Sequence, residues 1–164
     1  MREANPKDLP SVLALYPAAF PDEDLLPLVR ALADTPGVVS LVAEDAGALT
    51  GHVAFSHCHV DGNVAVALLG PVAVAPTHQR QGVGSALVQH GIERERAAGT
   101  VAILILGDPA YYGRFGFRQE HGIEPPYKLP DDWGPAWQSL VLHENSLSGP
   151  LAVPEPWQDP VLWS

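Results

Sequence analysis

The sequence predicts a mixed α+β (α/β) fold built around one sheet. Three observations predict it. Two apolar patterns at helical spacing come first, three β-rich runs joined by turn signals follow, and helix and strand signals then alternate. That order suits helices packed on a single sheet. The chain has 164 residues, which is enough for one domain with an ordinary core. Residues 1–164 read as that domain, with a proline- and tryptophan-rich extension from about residue 121.

Each element has its own signal. Asp8 reads as the cap of a first helix, with Leu9, Val12, Leu13 and Tyr16 on its inward stripe. Asp22 reads as the cap of a second, with Leu25, Leu28, Val29 and Leu32 inward and Pro27 in its early turns. "VVSLVAE" from Val38 and "GHVAFSHCHV" from Gly51 read as strands around a turn at 45–47. "DGN" at 61–63 is a hairpin signal, leading into "VAVALLGPVAVAP" at 64–76. This run is almost wholly apolar, so both faces should be buried. Gly70-Pro71 interrupts it, where a bulge or kink is expected because proline cannot donate to a ladder. Val83, Leu87, Val88 and Ile92 mark the inward face of a third helix ended by Gly99. "TVAILIL" at 100–106 is a short strand. "GDPAYYGRFGF" places Asp at a cap, Pro at the first helical position and Gly116 past the end, with a strand expected from Phe117. "QSLVLHE" at 138–144 is the clearest strand of the tail.

The composition excludes several classes. The net charge is −10, which argues against general nucleic-acid binding, since that rests on neutralising phosphates. No apolar run approaches the ~20 residues of a membrane span. The N-terminus lacks a signal-peptide core, and Cys58, the lone cysteine, allows no internal disulfide. The expectation is a soluble, cytoplasmic protein. The charge is uneven: residues 80–118 hold five arginines against Glu93, Glu95 and Asp108, a net +2, while the rest carries −12. A locally basic site on an acidic body suits an anionic ligand and a cationic substrate. Arg94 and Arg96 beside Glu93 and Glu95 equally fit a solvated helix face.

The most informative stretch is "THQRQGVGSALVQHG" at 77–91, with Gly82 and Gly84 at the mouth of a helix. Glycine there costs roughly 1 kcal/mol against alanine. A helix N-terminus offers unpaired N–H groups and about half a positive charge, which suits phosphate. Glycine clears side chains out of a phosphate's way. The segment therefore reads as a pyrophosphate cradle. It contains no G-x-x-x-x-G-K-[ST] and no G-x-G-x-x-G after a strand, so neither a P-loop nor a dinucleotide fingerprint fits.

Gln79-Arg80-Gln81-Gly82-Val83-Gly84 resembles the Q-x-x-G-x-G acetyl-CoA motif of the GNAT superfamily of N-acetyltransferases. "LGPVAVAPTHQR" before it resembles that superfamily's fourth strand and turn, and "AYYGRFGF" its short tyrosine-bearing helix. The resemblance spans about residues 2 to 120 and is nearest to small bacterial acetyltransferases predicted to act on unidentified amines. It implies a mostly antiparallel sheet splayed between its fourth and fifth strands, with acetyl-CoA in the V. The backbone of Val72, Ala73 and Val74 would pair with the pantetheine arm. N–H groups of Gln79, Arg80, Gln81, Gly82, Val83, Gly84 and Ser85 would hold the pyrophosphate.

The chemistry implied is direct attack of a neutral primary amine, on a small molecule or peptide, at the thioester carbon. The leaving thiolate needs a general acid. Tyr112, five residues before Phe117, occupies the position the family uses, while the adjacent Tyr111 points about 100° away on a helix and reads as packing. Glu44, His57 and His59 are candidate bases, and a water relay serves as well. His57 and His59 share a strand face, as half of a metal site would, but no third and fourth ligand stand out and no metal is expected. A non-catalytic acetyl-CoA sensor or regulatory module is the rival reading, against which Tyr112 argues. All four tryptophans lie in the tail, which is therefore expected to be docked. Two roles stay open for them, a wall of the acceptor pocket or a homodimer contact.

Overall fold

A computed structural model describes residues 1–164. The elements are β1 (Arg2–Glu3), α1 (Leu9–Ala19), α2 (Leu26–Ala33), β2 (Val38–Asp45), β3 (Ala48–Val60) and β4 (Val64–Val74). Then come α3 (Val83–Ala97), β5 (Ala102–Leu106), α4 (Pro109–Tyr112), β6 (Arg118–Gln119), β7 (Ile123–Glu124), β8 (Trp137–Val141) and β9 (Gly149–Pro150). Seven strands form one sheet in the order β1-β2-β3-β4-β5-β8-β6, and β7 pairs with β9. The sheet is mostly antiparallel. Its parallel pair is β4 with β5, where Ala67 faces Ile103 and Leu68 faces Leu104. The mixed α/β class read from the sequence is the class found.

The hairpins follow from backbone chemistry. Ala46 and Gly47 both have positive φ, 52° and 82°, the demand of a two-residue turn that matches strand twist. Asp61 and Gly62 turn the next hairpin at 52° and 85°. The Gly70-Pro71 peptide is cis, with Gly70 at φ 139°, yet β4 runs unbroken to Val74. The expected interruption is thus an altered backbone conformation inside a continuous strand.

Both expected helix caps need correcting. Asp8 holds the N-cap position of α1, but its side chain makes no cap hydrogen bond there. It closes a 3₁₀ turn at Pro6–Asp8, where Asn5 accepts from Lys7 N and the Asp8 carboxylate accepts from Asn5 N. The second helix begins at Leu26 without a side-chain cap, so Asp22 lies in the preceding loop, though Pro27 does sit in the first turn. The strand expected from Phe117 begins at Arg118, one residue later, and the one expected at 138–144 is β8, which spans Trp137–Val141. β1 had no sequence signal. It is held by pairing of Arg2 with Val42 and Glu3 with Leu41, and by Arg2, which grips the Asp8 carboxylate with two donors and also binds Glu44. The hydrogen bond from Arg2 brings the Asp8 carboxyl down to about 2.

The chain divides into two compact units, residues 1–55 with 70–92, and residues 56–69 with 93–164. In the first, β3 uses both faces. His52 points to α1, where its Nδ1 meets Tyr16 Oη at 2.7 Å. Val53 and Phe55 lie on the opposite face by strand alternation, and Phe55 packs under α3 at Gly91. A Cβ on Gly91 would meet Phe55 Cε1 at 2.0 Å, and one on Gly51 would meet Leu87 Cδ1 at 2.8 Å and Val83 Cγ1 at 2.9 Å. These two glycines let α3 lie close on the strand. Leu87, Val88, Gly91 and Ile92 form its buried face.

In the second unit, Cys58, Leu68, Leu104, Trp137 and Trp163 share one apolar core. The tail is stitched into it. His59 and Ala152 exchange backbone hydrogen bonds. Trp157 Nε1 donates to Ser56 Oγ at 3.0 Å, Trp163 Nε1 to Trp157 O at 3.0 Å, and Trp137 Nε1 to Ile123 O at 2.8 Å. Trp137 and Trp163 are therefore core residues. Burial of the Glu120 carboxylate works against its charge, but hydrogen bonds from Ser139, Ile123 and Gly122 outweigh it and lower its pKa.

Gly91→Ala should lower stability by about 1–3 kcal/mol, because overpacking exceeds the ~1 kcal/mol that alanine gains in helix propensity. Denaturant unfolding measures it, and Phe55→Leu in the same chain should recover part of the loss. A stable Gly91→Ala variant would show that α3 does not need the close seat.

Candidate active site

The loop between β4 and α3 carries the predicted phosphate cradle. A 3₁₀ turn at Pro76–His78 is followed by four exposed residues, 79–82, and then by the 15-residue α3. Gln79 Nε2 donates to Val74 O at 3.0 Å and Gln81 Nε2 to Thr77 O at 3.2 Å, so both glutamines brace the loop from within. Arg80 has φ 62° and Gly82 φ 84°. A left-handed backbone at 82 requires glycine conformationally. A Cβ built on Gly82 would meet no atom within 4 Å. The space off its Cα is therefore open, as a ligand cradle requires.

Ala86 N bonds back to Gly82 O at 3.0 Å. The first N–H groups of a helix precede such bonds and point outward along its axis. Val83 and Gly84 stand first in α3 here, and both are half-buried. The end of β4 enters the same unit: Ala73 is buried, Val72 and Val74 are half-buried, and Ala75 N donates to Thr50 O. The residues expected to meet a pyrophosphate and a pantetheine arm therefore lie together in the first unit, in continuous chain from strand end to helix start.

Tyr112 belongs to the second unit. Asp108 caps α4 by accepting from Ala110 N at 2.9 Å, and Asp108 O accepts from Tyr112 N. The Tyr112 ring packs edge-on against Phe117, with centroids 5.9 Å apart. It also lies over Gly107, where a Cβ would meet its Cε2 at 2.6 Å. Glycine at the end of β5 thus makes room for the ring. Burial raises the phenol to about 12, with Tyr111 and Asp108 adding to the shift. Tyr112 is a neutral O–H donor throughout the physiological range. Tyr111 packs instead, with the Arg114 guanidinium 4.4 Å from its ring centre.

The candidate bases are scattered. Glu44 is bound to Arg2 in the first unit. His57 and His59 are exposed in the second, with their Nε2 atoms 3.1 Å apart. Cys58 between them is buried and its thiol pushed up to about 12, mainly by burial. His52, unremarked in the sequence, is the buried imidazole of the first unit, and burial lowers it to about 4. Its partner Tyr16 was visible only as one member of an apolar stripe. Nothing in the sequence links two residues 36 positions apart.

A mostly antiparallel sheet with one parallel pair, and a glycine-led helix after its fourth strand, is the architecture of the GNAT acetyltransferases. A family model described as an acetyltransferase (GNAT) domain matches residues 1–119. The chain belongs to that family and is an N-acetyltransferase. Among its relatives, the uncharacterized N-acetyltransferase YhbS of Escherichia coli K12 is 35% identical over 155 residues, covering 92% of this chain and 91% of that protein. The uncharacterized N-acetyltransferase YjhQ of the same organism is 32% identical over 126 residues, 72% of this chain and 70% of that one. Among solved structures, Escherichia coli YhbS in complex with CoA superposes with a TM-score of 0.87 at 30% identity, covering 96% of this chain and 91% of that one. A GNAT acetyltransferase from Brucella melitensis in complex with acetyl-CoA gives 0.78 at 30% identity, covering 96% of each chain. No helix here is long and apolar enough to cross a membrane.

A tyrosine whose pKa is raised on folding binds its proton more tightly in the folded state. Its contribution is fully present below the unfolded value of about 10 and is lost as pH climbs towards the folded value of about 12. Wild type should therefore lose stability relative to Tyr112→Phe between about pH 10 and 12, read from unfolding midpoints. A constant gap would mean that the phenol is not shifted.

Proposed function

We propose that this chain moves an acetyl group from acetyl-CoA to a primary amine on a small molecule or peptide, by direct attack on the thioester. The observation that carries this reading is the open left-handed turn at Gly82 ahead of α3, with no atom beyond its own chain neighbours within 4 Å of the Cβ position. The CoA and acetyl-CoA complexes of the two solved relatives support it.

Acetyl-CoA supplies an activated acyl carbon and a thiolate leaving group. The chain's residues do the rest. N–H groups from Gln79 to Ser85 hold the pyrophosphate, and Val72, Ala73 and Val74 present backbone groups to the pantetheine amides. Arg80 adds a positive charge at the loop. The Tyr112 hydroxyl serves the leaving sulfur as the acid. An alkyl thiol has a pKa near ~8.5, well below that of this phenol, so full proton transfer from Tyr112 alone would run uphill. Tyr112 therefore acts mainly by donating a hydrogen bond as negative charge gathers on sulfur. The incoming amine loses its proton through a water relay. The acidic surface outside 80–118 favours a cationic acceptor.

Two variants test this reading separately. Gly82→Val strains the turn and fills the cradle, and should weaken acetyl-CoA binding by about tenfold or more, a loss of ~1.4 kcal/mol, measured by calorimetry on a folded variant. Tyr112→Phe should lower kcat by about 10²–10³-fold with little change in the KM for acetyl-CoA, measured by CoA release over a panel of amines. Unchanged binding in the first would remove the loop from donor recognition. An unchanged rate in the second would remove Tyr112 from the chemistry.

A further inference from the structure

The first unit contains a cavity of about 250 Å³ that the acetyl-transfer reading does not use. Val12 of α1 and Val29 and Leu32 of α2 give it an apolar wall. Its rim carries the carboxylates of Glu3, Asp8 and Asp34. Arg2 offsets the charge of Asp8, and the exposed Asp34 keeps the rim acidic. His52 stands on the wall although it is only 3% exposed.

The His52 ring can be assigned a tautomer. Tyr16 Oη has one hydrogen-bond partner, His52 Nδ1, and no buried polar side-chain atom of the protein lacks a partner. The phenol proton must therefore go to Nδ1, because no other acceptor is in reach. Nδ1 is then the acceptor and Nε2 carries the hydrogen. Burial raises Tyr16 and lowers His52 to about 4, so both stay neutral at pH 7. Nε2 has no protein partner, and it is not among buried unpartnered atoms, so it is accessible from the cavity on whose wall His52 stands. The cavity thus has a fixed N–H donor at its wall, apolar sides and acidic groups at its mouth.

We propose that this cavity is a second binding site, for a small cationic amine with an apolar body and one acceptor oxygen that receives the His52 Nε2 hydrogen bond. The rim selects cations and disfavours carboxylates. The apolar wall takes a short aliphatic chain. The N–H of His52 discriminates for a carbonyl or hydroxyl, because a ligand lacking one leaves a buried donor unsatisfied. A site of this size admits one such molecule in place of several waters of ~30 Å³ each. This site does not depend on the donor reading, and its test needs no acetyl-CoA.

The probes are leucinamide, isopentylamine, which lacks the acceptor oxygen, and leucine, which adds a carboxylate. Each is titrated into protein carrying ¹⁵N-labelled histidine, without acetyl-CoA. Leucinamide should bind saturably and shift the His52 Nε2 resonance, while each of the others binds about tenfold more weakly. Ala33→Phe, at an exposed position on the cavity, should abolish binding with the unfolding midpoint unchanged. Asp34→Lys should weaken it several-fold. Absence of saturation, saturation without a His52 shift, or leucinamide binding unaffected by both variants would each overturn the site and leave only solvent there.

Discussion

The close seat of α3 on β3 is the constraint on which the donor loop depends. It has two contact points. Gly91 accepts the Phe55 ring, and Gly51 accepts Val83 and Leu87. On a helix these contacts lie about two turns apart, so together they fix both tilt and axial position. Val83 is the first residue of α3 and follows Gly82 directly. A side chain at 51 would lift that first turn and swing the N–H groups that precede the helical ladder. Glycines at 51 and 91, remote from any phosphate, therefore aim the glycines at 82 and 84.

β3 has a different partner on each face, and its polar residues follow from that. Residues 51, 53 and 55 face α3, so they are small or apolar. His52 faces α1, and is tolerated because Tyr16 satisfies it. Ser56 is wholly buried and is satisfied by Trp157. Gln138 is buried on β8 and donates to Gly107 O. A buried polar group without a partner costs ~1–3 kcal/mol. Each of these residues has one, and two of the pairings join segments about a hundred or thirty residues apart in the chain. Such pairs favour one register, since a slip of one residue would invert every side chain on the strand.

Local features were the legible ones. Asp-Gly at 61–62 and Ala-Gly at 46–47 announced their hairpins because positive φ has few residue solutions. The stripe Leu87, Val88 and Ile92 announced the inward face of α3 because burial follows the helical period. The turn at Gly82 was legible for the same reason, since it lies within six consecutive residues. What escaped depends on long-range contacts. β1 is two residues long and is held by pairing and by Arg2, neither of which leaves a periodic trace. Asp8 looks like a cap until Arg2 and Asn5 compete for its carboxylate. Gly91 reads as a weak point in a helix until Phe55, 36 residues earlier, is placed beneath it. The tryptophans showed that the tail docks, but not on what, because aromatic residues fit a core and a binding surface equally.

The chain's two desolvated tyrosines differ in how their hydroxyls are partnered, which bears on the acid role proposed for Tyr112. Tyr16 and Tyr112 are both raised by desolvation. Tyr16 lies nine-tenths or more out of water with its proton committed to a histidine, so moving that proton would strand a buried acceptor. Tyr112 is only half-buried, and its ring packs against other rings, those of Tyr111, Phe115 and Phe117. Ring contacts hold the phenol in place without engaging its hydroxyl. A donor that is positioned by packing, kept neutral by partial burial and left uncommitted in its hydrogen bonding can follow charge as it develops on a leaving group. Tyr111 differs in that the Arg114 guanidinium covers its ring. The distinction lies in how the hydroxyl is partnered, which two adjacent tyrosines in a sequence cannot display.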